Sequence, residues 1–301
     1  MLRIAFHPLY AHPLPEGHRF PMAKYELIPE QLIYEGTILP AQLFEPEPLD
    51  TAIILETHDA DYWHRLSSLT LSEKEVRAIG FPLSGQLVRR EIVIAKGTLD
   101  CALFALSDGV SLNIAGGTHH AFRDRGEGFC LLNDFAIAAN YLLSRRLVKK
   151  ILILDLDVHQ GNGTARIFEG NSQVFTFSMH GQHNYPFRKE RSTKDIGLPD
   201  GTTGTAYLEI LERELRNIID LYRPDFLFFL AGADVLETDR FGKLRLTMQD
   251  CRQRDRIVFE TALTRGIPVC VAPGGGYSSQ LRYVVEAHCN TFRVAKETFE
   301  R

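Results

Sequence analysis

The chain has 301 residues, 45% of them hydrophobic and 24% charged, and a formal net charge of -4. That composition excludes a disordered chain and argues against a protein that coats nucleic acid, while a cationic, lysine-bearing substrate stays compatible with it. The five cysteines, Cys101, Cys130, Cys251, Cys270 and Cys289, are odd in number and contain no CxxC, a pattern that fits a reducing compartment. No apolar run approaches the roughly 20 residues needed to span a bilayer, and no secretory signal is recognisable, so a cytoplasmic protein without membrane contact is expected. The basic clusters Arg188-Lys189 with Arg191, and Arg252, Arg254 and Arg256, read as solvated faces.

In chain order, hydrophobic patterning predicts a strand at 2–6, a helix at 22–34, a strand at 52–55, a helix at 87–106, a strand at 111–115 and a helix at 134–145. Strands at 150–155 and 173–177, a helix at 206–221, a strand at 226–230, a helix at 247–264, a strand at 268–271 and a helix at 278–294 follow. Apolar runs alternating with longer amphipathic stretches mark an α/β chain whose central, mostly parallel sheet is covered by helices on its faces. No low-complexity linker, repeat or compositional break interrupts 1–301, so one domain is expected.

Four of these strands end in residues capable of chemistry. The strand at 111–115 runs into Gly116-Gly117-Thr118-His119-His120, and that at 150–155 into Asp157 and His159. The strand at 226–230 runs into Ala231-Gly232-Ala233-Asp234, and that at 268–271 into Gly274-Gly275-Gly276-Tyr277. Open α/β sheets bind ligands beyond the carboxyl ends of their strands, so the four sets point to one crevice. Side-chain alternation would project Asp155, Asp157 and His159 from one side of the departing strand.

Asp157, His159 and Asp234 form the expected metal ligands, because catalytic sites commonly use three protein ligands and keep a position open. Zinc would polarise a carbonyl and lower the pKa of a bound water to about 7. Two carboxylates and one imidazole also suit iron(II) or manganese. His119 and His120 would take Asp155 and Asn162 as partners that fix their tautomers, with unequal roles because a carboxylate raises basicity more than an amide does. Tyr277 would aim its hydroxyl at a developing oxyanion. Each has an ordinary reading when taken alone, Asp234 as a helix cap and Tyr277 as a core tyrosine. The dinucleotide-like run from Gly161 to Arg166 lacks its third glycine, and Cys130 reads as an inert buried thiol.

Together, Gly116-Gly117-Thr118-His119-His120, Gly128-Phe129-Cys130 with Asn133-Asp134, the run from Asp155 to Gly163, Ala231-Gly232-Ala233-Asp234 and Gly274-Gly275-Gly276-Tyr277 resemble the histone deacetylase family. The motifs are closest to its class IV branch and to bacterial deacetylase-like members. The resemblance runs in the expected order over 116–277, and before that rests on His18-Arg19 with Met22 and on His58 with Tyr62. It implies a three-layer α/β/α fold of the arginase/deacetylase type and a zinc-dependent amidohydrolase that removes an acetyl or other acyl group from lysine.

By that resemblance Asp157, His159 and Asp234 hold one zinc, His119 and His120 are the tandem histidines, and Tyr277 orients the scissile carbonyl. Gly128, Phe129, Phe241, Gly275 and Tyr185, with Phe187 as the alternative to Tyr185, would line the acyl-lysine channel. Asp155 and Ser178, with main-chain oxygens of Asp157, His159 and Met179, resemble a structural potassium site. Arg19 resembles the arginine near an internal acetate exit. The chain departs from the family where Asn162 replaces a common aspartate, where Gln160 precedes it, and where Phe241 replaces smaller channel groups. No rim aspartate for clamping a peptide backbone is recognisable. The expected partner is an acylated lysine peptide or a small acylated amine, with no direct nucleic-acid contact. An acetylpolyamine deacetylase and a non-catalytic acyl-lysine-binding module are the alternative readings.

Overall fold

In the computed structural model, which describes residues 2–300, the apolar runs at 151–155, 226–231 and 269–273 are buried at every position. Successive strand residues face opposite sides, so full burial means that both faces of the sheet are covered. The strands are β1 (Arg3–Ala5), β2 (Leu43–Phe44), β3 (Val110–Asn113), β4 (Ile151–Asp155), β5 (Val174–Gly181), β6 (Lys194–Leu198), β7 (Phe226–Ala231) and β8 (Val269–Pro273). They form one sheet in the order β2-β1-β3-β8-β7-β4-β5-β6, and every pairing is parallel.

The helices are α1 (Lys24–Tyr34), α2 (Thr51–Ile54), α3 (Ala60–Ser67), α4 (Glu73–Ile79), α5 (Gly85–Asp108), α6 (Asp134–Ser144), α7 (Asn162–Ile167), α8 (Gly204–Tyr222), α9 (Met248–Arg265) and α10 (Leu281–Phe299). One group joins α5 and α6, with α5 lying on β1, β3 and β8; in the other, α10 packs on α1 and α9, and α9 on α8. This is the three-layer α/β/α arrangement. Local chemistry sets the helix ends: Ser84 caps α5, Thr247 and Asp250 form a capping box on α9, and Gly266 closes α9 in the left-handed conformation. No described helix is long and apolar enough to cross a membrane.

The predicted strand at 52–55 is instead α2, whose first turn is capped by the Asp50 carboxylate accepting from the Ala52 N–H at 2.8 Å. A run of only four apolar or β-branched residues has no period that separates strand from helix, and the cap decides. The pattern also missed β2, β6, α3, α4 and α7, all of them short. The ends of the predicted 1–301 unit, Met1 and Arg301, lie outside the described residues.

The strand order has one consequence for chemistry. β3, β8, β7 and β4 are consecutive at the middle of a parallel sheet, so their carboxyl ends open side by side on one edge. Register couples them closely, with Asp155 opposite Leu230, Leu230 opposite Ala272, and Ala231 opposite Pro273.

Candidate active site

β4 ends at Asp155, and Asp157 and His159 lie in the bend beyond it, so loop geometry rather than strand alternation aims them. There they meet Asp234, which follows β7. His159 Nδ1 lies 3.0 Å from Asp157 Oδ1 and 3.2 Å from Asp234 Oδ2. One ligating atom from each residue falls within 4.8 Å of the others. The second oxygen of each carboxylate is held by backbone: Asp157 Oδ2 accepts from the Gly275 N–H at 2.7 Å, and Asp234 Oδ1 from the Val158 N–H at 3.0 Å. Gly275 must be glycine here, since a Cβ on it would come within 1.9 Å of Asp234 Oδ2.

This donor set fits a divalent cation. Two buried carboxylates repel each other, and burial followed by the charge of Asp157 pushes Asp234 up to about 7. Burial opposes ionisation of Asp157 as well, but the imidazoles of His119 and His159 hold it well below the usual carboxylate range. His159 is pushed up to about 10, because its bonds to Asp157 and Asp234 outweigh its burial. A dication ligated by the three groups compensates both carboxylates and leaves the imidazole neutral as a ligand.

His119 and His120 lie beside the cluster with ring centres 4.0 Å apart and planes tilted by 46°. His119 Nδ1 lies 2.7 Å from Asp155 Oδ2, and His120 Nδ1 lies 2.6 Å from Asn162 Oδ1. The Asn162 amide is oriented by its own donor group, which bonds Glu127 Oε1 at 2.8 Å. Its oxygen therefore faces His120, whose Nδ1–H donates to it, and Nε2 is left as an acceptor. Burial lowers His120 well below the ordinary histidine value, and the neighbouring charges of His119 and His159 lower it further. His119 goes the other way: burial opposes its charge, yet Asp155 lifts it to about 9.

Two neighbouring cavities open onto these groups and share His120, Gly128, Phe129, His159 and Tyr277 as lining. The inner one, about 50 Å³, is lined by Gly116, Gly117, His119, His120, Asp157, His159, Gly275 and Tyr277, among others. The outer one, about 400 Å³, is lined by His120, Gly128, Phe129, His159, Tyr185, Phe241 and Tyr277 with several basic residues. Tyr185 stands perpendicular to the His120 ring at 4.9 Å, whereas Phe187 is fully exposed and forms no wall. Phe129 takes a left-handed φ of 67°, fixed by its N–H bonding the Ile79 carbonyl at 2.7 Å and by packing on Phe20 and Phe81. Phe241 packs on Tyr277 at 5.2 Å and lines the outer cavity only.

Asp155 and Ser178 are register partners on β4 and β5, both buried, and Ser178 Oγ is bonded to His180 Nδ1 at 2.9 Å. The Cys130 thiol is buried, and its pKa is pushed well up by that burial.

Two readings need correction. Arg19 does not lie at the inner end; it borders the outer cavity, over the rings of Phe129 and Phe241 at 5.0 and 5.6 Å. The cations of the inner cavity are Lys24 and Arg90. Arg254 is not on a solvated face either: it is buried, paired with Asp255 at 2.8 Å, and donates to the Gly232 carbonyl in the loop that carries Asp234. Arg252 and Arg256 both bond Glu297.

Contacts that pattern reading missed fix this site in place. Lys24 Nζ donates to the Gly274 carbonyl at 3.1 Å, and burial pushes it down to about 8 against the pull of Asp234 and Asp157. Asp239 accepts from the N–H groups of Phe241, Gly242 and Tyr277, which anchors the Tyr277 backbone. Gln160 bonds the Glu190 backbone on both sides of its amide and also Asp195, tying down the segment that presents Tyr185. Glu127 directly precedes Gly128-Phe129 in the sequence, but nothing local announces that its partner is Asn162.

The fold is thus an α/β sheet of the arginase/deacetylase type, with a buried Asp-His-Asp set and paired imidazoles at its carboxyl edge. The chain belongs to the histone deacetylase family: the model of the histone deacetylase domain matches residues 18–292. That family marks it as a hydrolase of acetylated amides. It is 43% identical to an uncharacterized protein of Picosynechococcus sp., over 98% of this chain and 99% of that one. It is 29% identical to histone deacetylase 2 of Arabidopsis thaliana, over 92% of this chain and 74% of the relative. Among solved structures, an HDAC homolog complexed with SAHA superposes with a TM-score of 0.84 at 24% identity, covering 100% of this chain and 84% of the other, a likeness of fold.

Proposed function

We propose that this protein is a zinc-dependent amidohydrolase that removes an acetyl or other acyl group from a lysine side chain or a related amine, as one catalytic domain over residues 1–301 acting in the cytoplasm. The observation that carries the reading is the convergence of Asp157, His159 and Asp234 with the free nitrogen of His120 and with Tyr277 around neighbouring cavities. Asp157, His159 and Asp234 would hold the zinc, which when bound supplies a Lewis acid to the scissile carbonyl. Potassium in a structural role is assigned to Asp155 and Ser178 with main-chain oxygens of Asp157, His159 and Met179.

The protein's own groups do the rest. The rings of Phe129 and Tyr185 confine the lysine methylenes, with Gly128 and Gly275 leaving room for the amide. Tyr277 donates a hydrogen bond to the carbonyl oxygen as negative charge develops on it. His120 Nε2 takes a proton from the attacking water, whose oxygen bonds the carbonyl carbon. His119, tied to Asp155 at 2.7 Å, holds the neighbouring ring in place. When the C–N bond breaks, the departing amine takes up the proton that His120 accepted, and acetate remains.

The test is acetate release from an acetyl-lysine peptide by the purified chain after chelation and after zinc is restored. Release that follows zinc supports the reading, and binding without release would leave the acyl-lysine-binding module instead. N-acetylpolyamines run beside the peptide separate the small-amine alternative.

A further inference from the structure

Among the described residues that line the outer cavity, Arg19, His183, Arg240 and Lys243 are basic and none is a carboxylate. Asp200 lies 3.2 Å from His183 Nδ1 and 3.6 Å from Lys243 Nζ, an acidic neighbour for both. Arg19 and Arg240 differ. Both are exposed, both guanidinium groups lie against the Phe241 ring, at 5.6 and 6.0 Å, and neither forms an ion pair among the described residues. Asp239, next to Arg240 in sequence, is engaged by three backbone N–H groups instead. Two planar, permanently charged forks resting on one aromatic ring at the entrance are suited to receive a carboxylate.

We infer that this mouth is a carboxylate-binding rim, and that the preferred substrate is an acylated lysine with a carboxylate beside it. The inference rests on the hydrolase reading and narrows its substrate class. A chain entering the cavity passes between Phe129, Tyr185 and Phe241, so whatever flanks the acylated amine comes to lie near Arg19 and Arg240. A second cationic amine, as in an acetylpolyamine, or a run of lysines brings like charge to the same place and is disfavoured. The carboxylate has two sources, an acidic side chain next to the acyl-lysine in a peptide or the α-carboxylate of free Nε-acetyl-lysine.

The test uses fluorescent acetyl-lysine peptides that differ only in flanking Asp or Lys residues, with binding to the zinc-loaded chain read by anisotropy and turnover by acetate release. Free Nε-acetyl-lysine and its C-terminal amide, as competitors, form the second pair. The Asp-flanked peptide is expected to bind about tenfold tighter at about 50 mM salt, with the gap closing towards about 500 mM, since exposed charges are screened. The paired change Arg19→Glu with Arg240→Glu should reverse the order, and the single changes Arg19→Gln and Arg240→Gln should each narrow it if the paired variant does not fold. A preference for the free acid over its amide assigns the α-carboxylate, and a preference among peptides alone assigns the side chain. Equal affinity within both pairs overturns the rim. Acetate release with no charge preference overturns the rim and leaves the hydrolase standing; a charge preference in binding with no release does the reverse.

Discussion

His119 and His120 are neighbours in sequence and their rings touch, yet one faces a carboxylate and the other an amide. The amide is useful only while its oxygen points at His120, and Glu127 enforces that orientation by accepting from its nitrogen. Glu127→Ala should free the Asn162 amide to turn over, move the proton to His120 Nε2 and lower kcat roughly tenfold with a displaced kcat–pH profile, whereas Glu127→Gln keeps an oxygen acceptor and most of the rate. An unchanged profile in Glu127→Ala would contradict this positioning role. Tyr277→Phe removes one donor to the developing oxyanion and should cost about 100-fold to 1000-fold in kcat with metal content unchanged. At this scale the site was largely legible in the sequence, because the motifs follow the ends of apolar runs. Lys24, Glu127 and Arg254 were not, since their partners lie 250, 35 and 22 residues away. A lysine in the first turn of a helix or an arginine in a basic cluster looks solvated until the chain is folded.

At the scale of elements, α6 depends on a histidine outside it. His58 Nε2 accepts from the Asn133 N–H at 3.0 Å, and the Asn133 side chain in turn caps α6 through the Ala136 N–H at 3.0 Å. That arrangement needs neutral imidazole, and burial pushes His58 down to about 4. The unfolded chain binds this proton near the ordinary value of about 6.5, so it takes up protons first as pH falls. Stability from this residue is thus fully present above about pH 6.5 and lost as pH drops towards 4, by up to about 3 kcal/mol. Chemical denaturation across that window should show a steeper pH slope in the native chain than in His58→Gln, and equal slopes would rule out this linkage. Long helices such as α5 and α10 were legible because their apolar period repeats over many turns. The four-residue α2 was not, and β6, with its mixture of half-buried and exposed positions, gives no continuous apolar run.

For the whole molecule, the strand order matters more than any single motif. It brings the ends of β3, β8, β7 and β4 together, although they are scattered from Val110 to Pro273. The sequence named the four ends but held no direct signal for the order of the sheet, which depends on packing between distant segments. A buried ligand set that folding assembles should couple metal binding to stability. A divalent ion at about 100 times its Kd should stabilise the native chain by about 2.7 kcal/mol, seen as a rise in Tm, and Asp234→Asn should abolish most of that response. The most direct test of the central claim is anomalous scattering at the zinc edge from crystals of the zinc-loaded chain. One ion within ligating distance of Asp157, His159 and Asp234 is predicted; a zinc bound elsewhere, or none at these residues in a chain that still releases acetate, would contradict it.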